Sequence, residues 1–549
     1  MKSGQQRTAA STRSGANARF PRSLGFQPAV SPTSSRQTAG ETRSVGRSRR
    51  LRIGNPRYSR LEVCATGWLL ASLALLTGCA VGPNYERPTA VAAMPAAFTG
   101  ATNEWKLATP QAHLPKGAWW EVFSDTELNQ LEAQAAEANQ ELKAAVARFA
   151  QARAAADVAR SGLFPRIGAG FTAVRQSDSA NKPQSGTGQA SGKSFTSDNF
   201  IVPFDLSYEV DLWGCVRRQV ESARAKEQAD AADLEGVRLA IAAEVAADYF
   251  TLHALDAERS ALVATIEANR KSLDLTRNRR AGGLVSDLDV AQAETVLKTA
   301  EAQLPTITLA RTRFEHALAA LTGQPASGFS LAERPLDQEP VAIPADLPSA
   351  LLEGRPDIAA AERRMAAANV NIGVSKAAYY PTIRFNGLAG FQSLDAGTLF
   401  DWPSRFWAVG PSLSLPLFEG GKRRATVLQA EASYEETIAR YRDTVLTAFA
   451  EVEDQLAAQR LLAEGYAQEA SALQSARRQF EIATNRYRSG LVTYLQVVVA
   501  QNAVMERERA VARLRGQQYA AAVALVKALG GGWEGLAQDR AELSAKPKP

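Results

Sequence analysis

The chain has 549 residues, enough for two or three ordinary domains, and a formal net charge of +6. The charge is unevenly placed, because residues 1–60 hold 13 Lys or Arg and one acid, which leaves the remainder at −6. A nucleic-acid-binding protein would need a basic face on its folded part, and this distribution disfavours one. Three cysteines and three scattered histidines exclude a disulfide framework and disfavour a metal site.

The first 78 residues are predicted to be a leader. Residues 1–56 are rich in Ser, Arg, Gly and Gln without helical or strand periodicity, which indicates disorder or a start codon placed too early. Residues 57–78 are typical of a signal peptide, with basic residues before an apolar run too short to span a bilayer comfortably. No other apolar run reaches about 18 residues, so a helical inner-membrane protein is disfavoured.

The apolar run ends in Leu76-Thr77-Gly78-Cys79, which resembles the bacterial lipobox. Small residues before the cysteine allow a peptidase to approach, and the thiol accepts a diacylglycerol. Each methylene of an acyl chain that is buried in the membrane contributes about 0.8 kcal/mol to binding, so several chains on one cysteine hold a protein firmly at a membrane. We therefore expect Cys79 to be the lipidated mature N-terminus; the alternative is a membrane anchor with an incidental cysteine.

The first repeat is predicted over residues 125–323, after an extended Pro- and Ala-rich segment, 79–124. It opens with one helix of about ten turns that ends near Gly162, since the segment lacks Pro and internal Gly. Two strands follow, 164–175 and 201–213, and the second alternates apolar and polar residues with period two. The polar stretch between them, 176–200, is typical of a long exposed loop.

A long helical hairpin completes this repeat, at residues 216–322. Its first helix contains no Pro and ends at a glycine turn, and we expect Pro305 to kink the returning helix. A Pro-rich linker, 324–350, leads to the second repeat.

The second repeat is predicted over residues 351–532, followed by a C-terminal tail, 533–549. It contains a helix, strands 380–392 and 407–418, and a hairpin at 421–530. The two halves align at a constant offset of 207 residues without a gap from about 214 to 293. A duplicated unit of this size indicates a pseudo-symmetric structural body and not a single asymmetric catalytic pocket.

The strands decide between a membrane protein and a soluble coiled-coil scaffold. Alternating segments of about ten residues with aromatic residues near their ends fit a transmembrane β-barrel. Four strands are too few to close a barrel, which needs about eight. Open strand edges are not tolerated in lipid, so this interpretation requires an oligomer.

Several motifs together resemble the TolC-like outer-membrane efflux proteins, in particular the NodT-like or OprM-like lipoprotein branch that serves RND-type pumps. The matching stretches, in order, are Gly78-Cys79-Ala80-Val81-Gly82-Pro83-Asn84-Tyr85-Glu86-Arg87-Pro88, Ser207-Tyr208-Glu209-Val210-Asp211-Leu212-Trp213-Gly214, Gly354-Arg355-Pro356-Asp357-Ile358 and Arg486-Tyr487-Arg488-Ser489-Gly490. They cover the chain from Cys79 to about residue 532.

The resemblance implies a mostly α-helical homotrimer with a β-barrel part. Each protomer would give four strands to a twelve-stranded outer-membrane barrel, and the long helices would continue it as a periplasmic tunnel. The duct would be passive and not an enzyme, with no cofactor beyond the covalent lipid on Cys79 and no nucleic acid. Its partners would be a periplasmic adaptor, an inner-membrane RND-type transporter and outer-membrane lipid.

The resemblance also places the function at the hairpin tips. It implies a periplasmic gate made by Asp287, Asp289, Tyr487 and Arg486, although an Asp in a first helical turn is also stabilised by the helix dipole alone. The expected adaptor-docking residues are Arg279, Gly282, Gly283, Leu284, Val285, Arg488, Gly490, Leu491 and Val492. One departure weakens a gate latched by charge: the second tip carries Gln496 and Val499 where the family usually has acids.

Two alternatives stay open at this point. A duct for type I protein secretion would share the fold, but the lipobox and the Gly354-Arg355-Pro356-Asp357 motif favour the RND branch. A lipid-anchored periplasmic adaptor without a pore would carry one coiled-coil hairpin beside other modules, and not two repeats.

Overall fold

The computed structural model describes residues 80–88, 118–181, 192–336 and 354–531, which are mostly helical with one antiparallel sheet. The predicted leader, signal peptide, Cys79, most of the extended segment, part of the linker and the tail lie outside the described residues. None of the described helices has an 18-residue stretch apolar enough to cross a membrane.

The helical hairpins follow the 207-residue repeat. Helix α3 (Cys215–Ala281) has 67 residues and α4 (Asp287–Leu321) has 35; α6 (Lys422–Arg488) and α7 (Tyr494–Ala528) have the same lengths. All four boundaries of the second hairpin are those of the first shifted by 207, so the predicted duplication extends through the return helices. A helix of 67 residues is about 100 Å long. Pro305 lies inside α4 without ending it.

The single helix predicted before the first strand is wrong, because the chain forms α1 (Thr126–Ala138) and α2 (Gln140–Ser161). Asn139 separates them with φ −58° and ψ 128°, and its side-chain oxygen accepts hydrogen bonds from the backbone N–H of Glu141 and Leu142. Its amide group donates to the carbonyl of Leu321 at 3.0 Å. The break is therefore held by a cap and by a contact 182 residues away.

The sheet contains β1 (Arg166–Ala169), β2 (Thr172–Asp178), β3 (Phe195–Val210), β4 (Thr382–Ser393) and β5 (Arg405–Ser414). β3 and β4 pair in the centre, β5 follows β4, and β1 and β2 both pair with β3. β1 and β2 share one register against β3 and are interrupted at Gly170, which lies opposite Pro203. Pro203 has no N–H to donate, so the ladder loses one hydrogen bond there. Because β1 and β2 together form one interrupted strand beside β3, the five strands occupy four positions in the sheet.

The two faces of the sheet differ in polarity. On one face the ion pair between Arg384 and Glu209 spans 3.1 Å, and Asn386 donates to Ser412 at 2.8 Å. The other face carries apolar side chains that are between 42% and 74% exposed in the protomer: Ile167, Phe171, Phe204, Phe385, Trp407, Val409 and Leu413. The alternation predicted for the strands is thus realised across all four strand positions.

The start of α5 (Pro356–Ala377) explains the Gly354-Arg355-Pro356-Asp357 motif. Arg355 is buried, and its guanidinium donates twice to Asp357, once to Glu451 at 2.7 Å and once to the carbonyl of Ala528 at 2.9 Å. Ala528 ends α7 as Leu321 ends α4, so each return helix is capped by a side chain at the start of a 22-residue helix.

We predict that Arg355→Ala lowers the free energy of unfolding by about 2–4 kcal/mol, because it leaves a buried carbonyl and two carboxylates without their partner. Arg364→Ala is the matched control, since Arg364 pairs with Asp233 at the surface and such pairs contribute about 0–1 kcal/mol. Thermal unfolding followed by circular dichroism measures both. Equal midpoints for the two variants would contradict the structural role of Arg355.

Candidate functional site

The tips of the two hairpins have the same backbone. Gly283 and Gly490 adopt φ of +73° and +75°, a left-handed conformation that favours glycine. In each tip the N–H of the next leucine donates to a carbonyl five residues earlier, from Leu284 to Arg279 and from Leu491 to Arg486, at 2.9 Å in both. These bonds end α3 and α6 and reverse the chain into the return helices.

Arg279 joins the two tips. Its guanidinium lies 4.7 Å from the ring centroid of Tyr487 and donates to the backbone carbonyls of Tyr487 and Arg488 at 3.3 and 3.1 Å. Tyr487 is 6% exposed, and its ring is 5.4 Å from that of Tyr494, whose hydroxyl is 2.9 Å from that of Ser272. The sequence predicted an adaptor-docking role for Arg279 and not this contact with Tyr487. The one sequence signal for the contact was that a tyrosine, Tyr487, occupies the position that Arg280 has in the first repeat.

The contacts of Asp287 and Asp289 lie within the first tip. Asp287 forms an ion pair with Arg280 at 2.7 and 2.9 Å, and this exposed hydrogen bond holds the pKa of Asp287 below its usual range. Asp289 accepts from the N–H and the hydroxyl of Ser286, whose hydroxyl accepts from the Asp289 N–H, a reciprocal cap at the start of α4.

The second tip has no such acids. Arg486 and Arg488 lie in the last turn of α6, and Thr493 caps α7 without a side-chain hydrogen bond. Gln496 takes the position of Asp289, and Val499 is 55% exposed. The two tips therefore share a backbone but differ in charge.

Apolar side chains protrude from both tips. Leu284 and Leu491 occupy equivalent positions and are each 75% exposed. On the next turn Leu288 and Leu495 are 65% and 50% exposed. Exposed leucines at repeat-equivalent positions are typical of a surface that another protein covers.

A third region of interest is the junction between the sheet and the helices. The N–H of Val81 donates to the carbonyl of Trp213 at 3.0 Å, and a Cβ on Gly214 would lie 3.0 Å from Ala80. Gly214 itself has φ +78° and begins α3. The residue that follows Cys79 is therefore seated where β3 gives way to the long helix.

Comparison with known proteins agrees with this geometry. A family model described as outer membrane efflux protein matches residues 131–324 and 347–531. The pyoverdine export outer membrane protein OpmQ of Pseudomonas aeruginosa is 33% identical over 431 residues, which cover 78% of this chain and 89% of that protein. The toluene efflux pump outer membrane protein TtgF of Pseudomonas putida is 31% identical over 465 residues, covering 84% and 95%.

Solved structures give the same result. The outer-membrane channel OprN superimposes with a TM-score of 0.75 at 30% identity, covering 83% of this chain and 100% of that one. The CmeC outer membrane channel of Campylobacter jejuni superimposes with a TM-score of 0.76 at 26% identity, covering 85% and 98%.

The fold and these comparisons define a class of protein, the outer-membrane channels of bacterial efflux systems. The chain belongs to the outer membrane efflux protein family and is a TolC-like efflux component of the Gram-negative outer membrane.

We predict that Arg279→Ala loosens the second tip, because it removes a stacked cation and two hydrogen bonds to backbone carbonyls. Amide hydrogen exchange of residues 486–492 should accelerate about tenfold, which corresponds to about 1.4 kcal/mol. Arg277→Ala is the control, since Arg277 pairs with Glu294 inside its own hairpin. Equal exchange in both variants would show that Arg279 does not join the tips.

Proposed function

We propose that the protein is a homotrimeric exit duct that passes small molecules across the outer membrane. The sheet carries the proposal: its outer strands, β1 with β2 on one side and β5 on the other, each pair on one side only among the described residues. Unpaired strand edges and a bare apolar face are costly in water, and unpaired edges are excluded in lipid. Pairing the β5 edge of one protomer with the β1 and β2 edge of the next would close a twelve-stranded barrel.

The long helices support the same assembly. Residues 422–440 of α6 include no buried residue, and Leu428, Leu446 and Leu461 of this helix are more than half exposed. A helix of this length gains most of its stability from packing of an apolar face. In the proposed trimer, neighbouring protomers cover α6 and the helices form a tunnel that continues the barrel. The polar face of the sheet would line the lumen.

The proposed partners are a periplasmic adaptor and an inner-membrane RND-type transporter. Relatives are named as components of pumps for toluene, pyoverdine and antibiotics, which supports export of small molecules but identifies none for this chain. The adaptor would dock on the tips, where Leu284 and Leu491 protrude. Energy would come from the transporter, since the proposed duct is passive and not an enzyme.

We propose that the tips close the periplasmic end until the adaptor engages. Asp287, Asp289, Arg486 and Tyr487 are the candidate gate residues. Asp287 is paired with Arg280, so the charge on Asp289 would make the mouth cation-selective, and its three copies in a trimer would form a ring. Because the second tip lacks acids, that ring would come from the first repeat alone. A duct for type I secretion is the second candidate; the named pump relatives favour efflux.

A planar-bilayer measurement of the purified trimer tests the duct, because a trimer without ion current contradicts it. We predict that Asp289→Asn, which retains an oxygen for the cap but removes the charge, lowers cation selectivity several-fold. Ser286→Ala removes the cap partner of Asp289 and keeps the charge, so its selectivity should match the wild type. If both variants change selectivity equally, Asp289 serves the helix cap and not the gate.

We further propose that Cys79 carries the lipid that anchors the protein. Ala80 lies against the junction of sheet and helix, which is where a membrane surface would lie in the proposed assembly. We predict that Cys79→Ser abolishes labelling by radioactive palmitate and leaves the channel conductance unchanged, with Cys64→Ser as the control. A palmitate-labelled Cys79→Ser protein would refute the anchor.

A further inference from the structure

A stripe of buried side chains runs along α3 and another along α7, and both contribute, with residues of α4 and α6, to the packing near the tips. On α3 the stripe contains Leu262, Ile266, Asn269 and Leu273, at intervals of four, three and four residues. On α7 it contains Tyr494, Val497, Val498 and Gln501. The apolar members belong to one cluster near the tips. The spacing is that of the core positions of a coiled coil, so Asn269 and Gln501 take places that apolar residues normally hold.

The side-chain amides of Asn269 and Gln501 each include atoms that make no hydrogen bond. Asn269 is 3% exposed, and neither its amide nitrogen nor its oxygen makes a hydrogen bond; Gln501 is 6% exposed, and its side-chain oxygen makes none. Both lie between two contacts of α3 with α7: Ser272 with Tyr494 at 2.9 Å, nearer the tip, and Glu258 with Arg509 at 2.5 Å, farther from it.

This arrangement weakens the packing between the hairpins. A buried amide without partners loses its hydration and gains nothing in return, whereas a side chain of similar size and apolar character avoids that loss. The unpartnered atoms are already buried inside one protomer, so a neighbouring protomer reaches them only if the hairpins move apart. The repeat supplies a comparison: the position of Asn269 in the second hairpin holds Ala476, which is also buried.

We propose that Asn269 and Gln501 form a weakened seam that lets the first hairpin separate from the second when the tips open. This inference rests on the proposed function, in which the tips close the periplasmic end. Separation exposes both amides to water, so the open arrangement recovers the hydration that the closed one lacks. The seam lowers the free-energy difference between the two arrangements without any direct contact between these residues and the exported molecule.

The test replaces each amide by an apolar residue of similar size in the full-length trimer. In Asn269→Leu, exchange of the backbone amides of residues 497–501 should slow about tenfold, equivalent to about 1.4 kcal/mol. The open probability of the channel in a planar bilayer should fall by a similar factor. Asn278→Leu is the matched control: it makes the same change on the same helix at an exposed side chain outside the stripe, and should alter neither quantity.

Gln501→Met is a second variant and decides the outcome if Asn269→Leu does not assemble. Unchanged exchange in the variants that assemble overturns the seam, and so does slower exchange with an unchanged open probability. A wild-type trimer that carries no current contradicts the proposed duct instead, and exchange then reports on the packing alone. The two failures are therefore distinguishable.

Discussion

The packing of α3 against α7 joins the two repeats, and the rest of the structure depends on it. A Cβ on Gly516 of α7 would lie 2.5 Å from that of Ala254, so only glycine allows the helices this close. Nearby, the rings of Phe250 and Tyr519 are 4.5 Å apart, and nearer the tip Arg509 reaches Glu258 and Gln303. This contact sets the second hairpin beside the first and so brings both tips to one end.

The near-identity of the two hairpins makes their differences informative. The same glycine conformations end both, yet the first tip has a charged cap and an ion pair, while the second has a buried tyrosine and no acid. Arg279 of the first tip contacts Tyr487 and Arg488 of the second tip, so residues that differ between the two tips also join them. A symmetric scaffold thus positions an asymmetric set of side chains, and those side chains are the candidates for gating.

Local sequence signals were sufficient to predict the limits of the hairpins but not the limits of the segments that connect them. Glycine turns end the long helices through contacts within a few residues, so the predicted hairpin limits agree closely with the observed ones. The break at Asn139 was missed although its side chain also caps α2 locally, because the contact with Leu321 that holds the break lies far along the chain. β2 and β3 also run further into the predicted loop than expected, since pairing of Asp178 with Phe195 extends the ladder.

The sequence by itself determined the duplication, the alternating strands, the long hairpins and the family, because each is written in local periodicity or in contiguous motifs. Only the tertiary structure decided that Arg279 stacks on Tyr487, that Arg355 caps the end of α7, and that Asn269 lies unpartnered in an apolar stripe. The first two contacts join residues 208 and 173 positions apart, and the third depends on burial. Periodicity reports which face of a helix is apolar; it does not report what covers that face.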